Sequence, residues 1–171
     1  MIEIKKATIE DLNTIKSLGK QTYTETFAKN NTPKNNAKYL NKNFNSNQLS
    51  IEISNTNSSF YLAYYENQPI GFLKTNQSDA QTEYFEEPTL EIQRIYVLQA
   101  FHGKKIGQLL LDVAIKIAKQ LAVDFIWLGV WEENHKALHF YAKNGFVTFD
   151  KHVFVLGDDK QTDLLMKLEI K

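Results

Sequence analysis

A chain of 171 residues that is 43% hydrophobic and 12% aromatic has enough apolar side chain to bury a core, so residues 1–171 are expected to form one domain and not a disordered tail. Its 20 Lys and Arg balance 20 Asp and Glu, which leaves no net field drawing it to nucleic acid or to an anionic membrane surface. The absence of cysteine excludes disulfides, thiolate-metal sites and a cysteine-bound acyl intermediate, and agrees with a reducing compartment.

The opening MIEIKKATIEDL carries charges where a secretory leader needs an apolar run. No stretch approaches the ~20 apolar residues of a membrane span, so a soluble, cytoplasmic protein is expected. Ile2 to Ala7 reads as a strand, and Thr8 as the cap of a helix carrying Leu12, Ile15 and Leu18. Residues 29–47, KNNTPKNNAKYLNKNFNSN, are rich in Lys and Asn without an acid and are expected as a polar helix and loop. FYLAYYENQPIGFLKTN, residues 60–76, places two β-rich runs around Glu-Asn-Gln-Pro and predicts an antiparallel hairpin. LEIQRIYVL, residues 90–98, is a further strand. From Ile106 the residues Leu110, Val113, Ala114, Ile117 and Leu121 keep helical spacing. FIWLGVW, residues 125–131, returns as a strand, and a second helix runs from about Asn134 to Asn144, where Lys-Asn-Gly gives a stop. FVTFDKHVFVLGD and TDLLMKLEI supply the closing strands. This order predicts a mixed sheet in an α/β or α+β arrangement.

The turn within AFHGKKIGQLLL carries the first chemical signal. A strand that ends in a tight turn and opens a helix leaves amide N–H groups unpaired, where they can hold phosphate oxygens with help from the helix dipole. Gly103 and Gly107 let that backbone approach a ligand closely, and His102, Lys104 and Lys105 add positive charge. Neither familiar nucleotide loop is present. Gly107 is followed by Gln108 and Leu109 instead of Lys and Ser/Thr, and no G-x-G-x-x-G occurs, which argues against ATP and NAD. On the turn alone, an ordinary strand-to-helix junction with solvated lysines is an equal reading.

The surrounding residues go further. RIYV, four residues, HGKKIGQLLL and then WLGVWEENHKALHFYAKNGF resemble the GNAT superfamily of N-acetyltransferases. In that family a strand with a hydrophobic-x-Val end precedes a loop [QR]-x-x-G-x-[GA] that binds the pyrophosphate of acetyl-CoA. Here the loop is His102, Gly103, Lys104, Lys105, Ile106 and Gly107, followed by Gln108. His102 stands where the pattern has Gln or Arg, and Lys105 where it has the first glycine of the pair. A side chain is tolerated at that position with negative φ, which is the expectation for Lys105. Asn134, Ala137, Phe140, Tyr141, Lys143, Gly145 and Phe146 are similar to the family's second motif without a gap. TYTETF, RIYV, WLGVWE and LGDDKQTDLLMK look like one branch, the PaiA-type polyamine acetyltransferases.

The resemblance implies a mostly antiparallel central sheet of about seven strands, with helices on both faces and central strands splayed at a bulge. It implies acetyl-CoA as co-substrate, no metal, and pairing of the pantetheine arm with free backbone at Ile95, Tyr96 and Val97. Asn134 alone is a good helix N-cap; the family adds a hydrogen bond toward the cofactor, and Lys143 belongs to the same set. Tyr141 alone reads as a core tyrosine with a wet hydroxyl, and in the motif resembles the general acid that protonates the departing thiolate. His135 and His139 have the spacing of a zinc pair, but a third ligand and the Glu of H-E-x-x-H are missing, so a solvated helix face is expected.

Between Thr75 and Gln93 stand Asp79, Glu83, Glu86, Glu87 and Glu91 with no Lys or Arg. Alone this is a solvated acidic loop; its place before the strand beside the thioester makes Glu83, Glu86 and Glu87 candidates for attracting a cationic amine. A protonated amine must lose a proton before it attacks, and Glu91 and Glu132 are the candidate bases, strand alternation leaving open which faces the cleft. With no cysteine to carry the acetyl group, direct transfer is expected. The acceptor expected is a primary amine, a polyamine such as spermidine or spermine by the branch resemblance, with a peptide N-terminus, an amino acid or another small amine of the aminoglycoside kind as the alternative. A non-catalytic acetyl-CoA sensor is the reading from a different class, which an intact Tyr141 disfavours. Neither nucleic acid nor membrane is an expected partner, and a homodimer is left open.

Overall fold

The computed structural model describes residues 1–171, which form a seven-stranded sheet of order β1-β2-β3-β4-β5-β7-β6. β1 (Ile2–Lys6), β2 (Ser58–Tyr65), β3 (Gln68–Gln77) and β4 (Thr89–Val97) pair antiparallel in succession. β5 (Phe125–Trp131) joins β4 in parallel, and β7 (Asp159–Glu169) lies antiparallel between β5 and the edge strand β6 (Val147–Leu156). α1 (Leu12–Phe27), α2 (Pro33–Asn43) and α3 (Ser46–Ser54) separate β1 from β2, while α4 (Ile106–Leu121) and α5 (His135–Lys143) follow β4 and β5. No helix is long and apolar enough to cross a membrane.

Alternation along the strands builds two cores, one on each face. Phe60, Leu62 and Phe72 pack with Ile15 and Leu18 of α1, Leu49 of α3 and Phe44. Ala63, Ile70, Leu73, Ile92, Ile126 and Leu128 face the other way, onto Ile106, Leu110, Leu111, Ala114 and Ala118 of α4 and Tyr141 of α5. The hairpin expected at residues 60–76 closes with Glu66 and Asn67 both at positive φ, as a two-residue type I′ turn requires. Thr8 makes the expected cap, but on a short 3-10 turn, Ile9–Asp11, with α1 beginning just after it. Residues 29–47 hold more helix than expected. Thr32 and Asn45 cap α2 and α3, Pro33 opens α2, and the interruption between them lets Phe44 turn into the core beside Tyr39 and Leu40.

The centre of the sheet is irregular. Lys74 faces Arg94 and Thr75 faces Ile92, which leaves Gln93 as an extra residue in β4, a bulge that bends the strand. β4 and β5 pair only from Thr89–Phe125 to Glu91–Trp127, so the β5-facing edge of β4 from Ile92 to Val97 has no strand partner. This is the splay the family resemblance implies.

A buried polar network fixes the bulge. Gln93 Oε1 accepts from Lys74 Nζ at 2.6 Å and Asn76 Nδ2 at 2.8 Å. Glu52 Oε1 accepts from Lys74 Nζ at 2.6 Å and from the Arg94 guanidinium at 3.1 Å, and that guanidinium lies 4.8 Å from the Phe44 ring centroid. Burial works to raise the Glu52 carboxyl, but Arg94 and Lys74 outweigh it and hold it below its ordinary value. Glu52→Gln would leave two buried cations facing one another, and removing one partner of a buried pair costs about 3–5 kcal/mol. Urea unfolding should show that loss. A carboxyl depressed on folding stabilises above its unfolded pKa and stops doing so as pH falls through the folded value, so this part of the acid destabilisation of the parent should be absent from the variant.

Candidate active site

The loop after β4 is built to expose its backbone. A 3-10 turn, Gln99–Phe101, leads into it, and the amide N–H groups of Gly103 through Gln108 have no acceptor in the protein. Gly103 sits at φ +78°, a conformation that side chains rarely adopt, although a Cβ there would meet nothing within 4 Å. Gly107 is different: a Cβ would make only ordinary contact with Phe140 at 3.8 Å, so the protein's own packing does not require glycine. Unsatisfied amides, and a glycine that leaves room no side chain of the protein fills, fit a phosphate held at the start of α4. The expectation for Lys105 is corrected. It has φ +63° and ψ +18°, left-handed, and is the N-cap of α4 without a side-chain capping bond. Turning consecutive amides toward one point takes left-handed residues at both 103 and 105, and lysine bears the second at a cost of ~1–2 kcal/mol.

His102 ties the loop down. Its Nε2 lies 2.8 Å from the Val97 carbonyl oxygen and its Nδ1 2.9 Å from Lys136 Nζ. An ammonium only donates, so Nδ1 accepts and Nε2 carries the proton that is given to Val97. Lys136 thereby links α5 to the loop. Lys143, the residue the motif suggests, is exposed in the last turn of α5, and Gln108 donates within α4 to Asp112 at 3.0 Å.

On the α4–α5 face, Asn134 Oδ1 caps α5 by accepting from Ala137 N at 3.3 Å. The helix so placed brings Tyr141 against Phe140 and Phe146, with ring centroids 5.3 and 5.6 Å away. Tyr141 is 7% exposed and its hydroxyl makes no hydrogen bond. Since no buried side-chain polar atom in the protein lacks a partner, that oxygen reaches open space. Burial pushes its pKa far up, so the hydroxyl keeps its proton. Ile95 and Val97 pack on this same core, while Tyr96 turns to the opposite one.

On the α1–α2 face, Gly129 is exposed although it stands in the middle of a central strand. Phe27 lies edge-on to both Tyr96 and Trp131, centroids 6.4 and 6.2 Å away, and Tyr39 meets Phe154 at 6.3 Å. Asp163, paired across β7 with Trp131 on one side and His152 on the other, turns toward Gly129: a Cβ on that glycine would be 3.5 Å from Asp163 Oδ2. Burial raises the Asp163 carboxyl, and a charged His152 counters this. His152 Nδ1 is 3.1 Å from Glu83 Oε1.

The acidic candidates therefore separate. Glu83 reaches the α1–α2 face through His152. Glu86 and Glu87 are exposed beside Pro88, whose carbonyl accepts from Asp124 N at 2.8 Å at the start of β5, roughly 20 Å of strand from the open end, so they do not line the gap. Glu91 is corrected as a base. It is 3% exposed in the paired part of β4, and its carboxylate accepts from Asn76 Nδ2 at 2.9 Å and from Thr82 N and Oγ1 at 2.9 and 2.6 Å, anchoring the β3–β4 loop. Glu132 is exposed just beyond β5. His135 and His139 are both exposed, with His135 3.5 Å from Glu133. Asp163, Gly129, His152 and Lys136 are not visible as site residues in the sequence. TDLLMKLEI reads as an ordinary strand, and only register across β5 makes Asp163 the neighbour of a central glycine.

Residues 20–146 match the family model described as Acetyltransferase (GNAT) family, and the chain belongs to that family. It is an N-acetyltransferase of the acetyl-CoA-dependent kind. The chain is 38% identical over 166 residues to an uncharacterised N-acetyltransferase in the pepI 3′ region of Lactobacillus delbrueckii subsp. lactis, covering 97% of this chain and 96% of that one. It is 29% identical over 153 residues to the spermidine N(1)-acetyltransferase of Thermoplasma acidophilum, covering 87% and 90%. The crystal structure of PaiA N-acetyltransferase from Thermoplasma acidophilum in complex with coenzyme A superposes with a TM-score of 0.81 at 27% identity, over 99% of each chain.

The strain at Lys105 is measurable. Lys105→Gly should raise the unfolding free energy by up to about 1 kcal/mol, because relief of the left-handed side chain exceeds the extra entropy of an unfolded glycine. Gly103→Ala should lower it by about 1 kcal/mol or more. Denaturant midpoints at a constant m-value check both signs.

Proposed function

We propose that the enzyme transfers the acetyl group of acetyl-CoA directly to a primary amine, with a polyamine such as spermidine or spermine as the preferred acceptor. The observation that carries this reading is the Tyr141 hydroxyl, protonated, without a hydrogen bond and reaching open space from a core that packs Ile95 and Val97 of the unpaired edge of β4. The amides of Gly103 to Gln108, with Lys104 and Lys105 beside them, would hold the pyrophosphate; the free edge at Ile95, Tyr96 and Val97 would pair with the pantetheine arm. Bound there, acetyl-CoA supplies an activated carbonyl and a thiol leaving group. Tyr141 Oη gives its proton to the sulfur, and free β4 N–H groups polarise the carbonyl. The polyamine preference is supported by the similarity to the spermidine N(1)-acetyltransferase and by the Glu83 and Asp163 carboxyls and aromatic rings of the α1–α2 face, which suit a cation.

CoA release measured across spermidine, spermine, putrescine, amino acids and peptides tests the acceptor. The two longer polyamines should lead monoamines in kcat/KM, by a margin that shrinks as salt rises. Equal values for monoamines and polyamines would remove the polyamine preference. Tyr141→Phe keeps the ring and its packing, so acetyl-CoA affinity should stay near that of the parent while kcat falls roughly 10 to 100-fold where chemistry limits turnover. A donor with a more acidic thiol should recover part of that loss. Because burial raises the hydroxyl, the parent's kcat should not decline on account of this group until pH exceeds the ordinary tyrosine value of about 10.

A further inference from the structure

The carboxylates near the gap are almost all engaged. Glu91 is held by Asn76 and Thr82, Glu52 by Lys74 and Arg94, and Glu83 by His152. Glu132 is free but exposed; among the half-buried carboxylates Asp163 is the exception. It is half-buried and raised by burial, no donor of the protein bonds its carboxylate, and the one charge that acts against the burial is that of His152. Because no buried side-chain polar atom lacks a partner, the Asp163 oxygens reach open space, and a half-buried carboxylate that the fold leaves free is available to a ligand. Its position says what that partner is. The exposed backbone of Gly129 keeps the approach open, and Tyr39, Tyr96, Phe27 and Trp131 form an aromatic frame on the same face. A carboxylate within aromatic rings suits a protonated amine, through a charge-assisted hydrogen bond and cation–π attraction together.

We propose that Asp163 receives the incoming ammonium group and takes its proton, and that His152, backed by Glu83, passes that proton to solvent. The proposal rests on acetyl transfer to an amine. Tyr141 approaches from the face carrying Leu128 and Val130, whereas Asp163 lies on the face of Gly129, so proton acceptor and proton donor stand on opposite sides of the sheet. Attack by nitrogen makes a tetrahedral intermediate with nitrogen and sulfur on separate bonds of one carbon, so a base on one face and an acid on the other can each serve its own atom. The atoms balance: the N–C bond forms, the C–S bond breaks, and nitrogen gives up two protons in becoming an amide. One goes by way of Asp163 to His152 and out; the other restores the proton that Tyr141 gives to sulfur. The titratable groups facing Asp163 are His152 from β6 with Glu83 behind it, Tyr96 from β4 and Tyr39 from α2, while the Arg94 charge is already matched by Glu52.

Asp163→Asn keeps the shape of the side chain and the strand. Its kcat/KM for spermidine should fall about 100-fold, with acetyl-CoA affinity unchanged, and calorimetry without acetyl-CoA should show spermidine binding weakened about 10-fold. For an acceptor amine already unprotonated at the assay pH the loss should shrink to a few-fold, because no proton has to leave before attack. Gly129→Ala adds a methyl in ordinary contact with Asp163 and Leu165, at 3.5 and 3.6 Å, so it should fold and lower kcat/KM for spermidine even where the Asn variant does not fold. Parent-like kinetics in both variants, or equal loss for protonated and neutral amines, overturns the assignment. If the parent releases CoA with no amine, acetyl transfer to amines is what fails; calorimetry of spermidine on parent and Asp163→Asn then still decides whether Asp163 holds a cation.

Discussion

β4 and β5 are joined by the pairs Thr89–Phe125, Leu90–Ile126 and Glu91–Trp127, after which the extra residue Gln93 bends β4 away. Parallel pairing is weaker per residue than antiparallel, and a ladder this short would not hold two strands together unaided. It survives because β3 grips β4 along its other edge as far as Val97 and β7 grips β5 through Trp131. The opening is therefore framed by two antiparallel ladders. Backbone groups left free inside it are expensive unless something pairs with them, and this makes the gap a place for an extended, amide-bearing ligand. The buried charges at Glu52, Lys74 and Arg94 belong to the same device. They hold the Gln93 side chain, and with it the bulge, from the α3 side.

The gap also divides the labour of the two faces. α4 and α5 bring the loop amides, the His102–Lys136 contact and the Tyr141 hydroxyl to one side. α1 and α2, with β6 and β7, bring aromatic rings and the Asp163 carboxyl to the other. A helix supported by a packed core places its groups rigidly, which suits proton transfer to a fixed sulfur. The proposed acceptor side is assembled from two helices and a hairpin that lies at the sheet edge, so its residues can change without disturbing the loop and Tyr141 on the other face.

Much of this was legible in the sequence where the cause is local. The hairpin around Glu66 and Asn67, the apolar stripe of α4 and the Asn134 cap each depend on residues a few positions apart. The motif from Asn134 to Phe146 was legible too, because it lies on one helix and its stop. What escaped depends on register between distant strands. Glu91 reads as a free carboxylate until β3 sets Asn76 opposite it and the loop folds Thr82 onto it. Asp163 is only one residue of a closing strand until β5 places Gly129 and Trp131 beside it. Lys105 misled for another reason. Residue type argues for negative φ there, and the need to aim successive amides at one point overrides residue preference by an energy the fold can absorb.

Burial gives the two proton-handling candidates opposite uses. It raises Tyr141 and Asp163 alike, because each is neutral when protonated and burial denies the charged form its hydration. The tyrosine starts high, so burial secures a donor that remains protonated wherever the enzyme works. The aspartate starts low, so burial moves it toward the amine it would deprotonate and makes it a stronger base, while the charge of His152 works against the rise. The same physical effect on two faces thus favours an acid on one and a base on the other, from starting points several pKa units apart. The exposure of Gly129 at the centre of the sheet sets a limit to the effect: the cleft is open on the side where the amine would enter, and that opening limits the burial of Asp163.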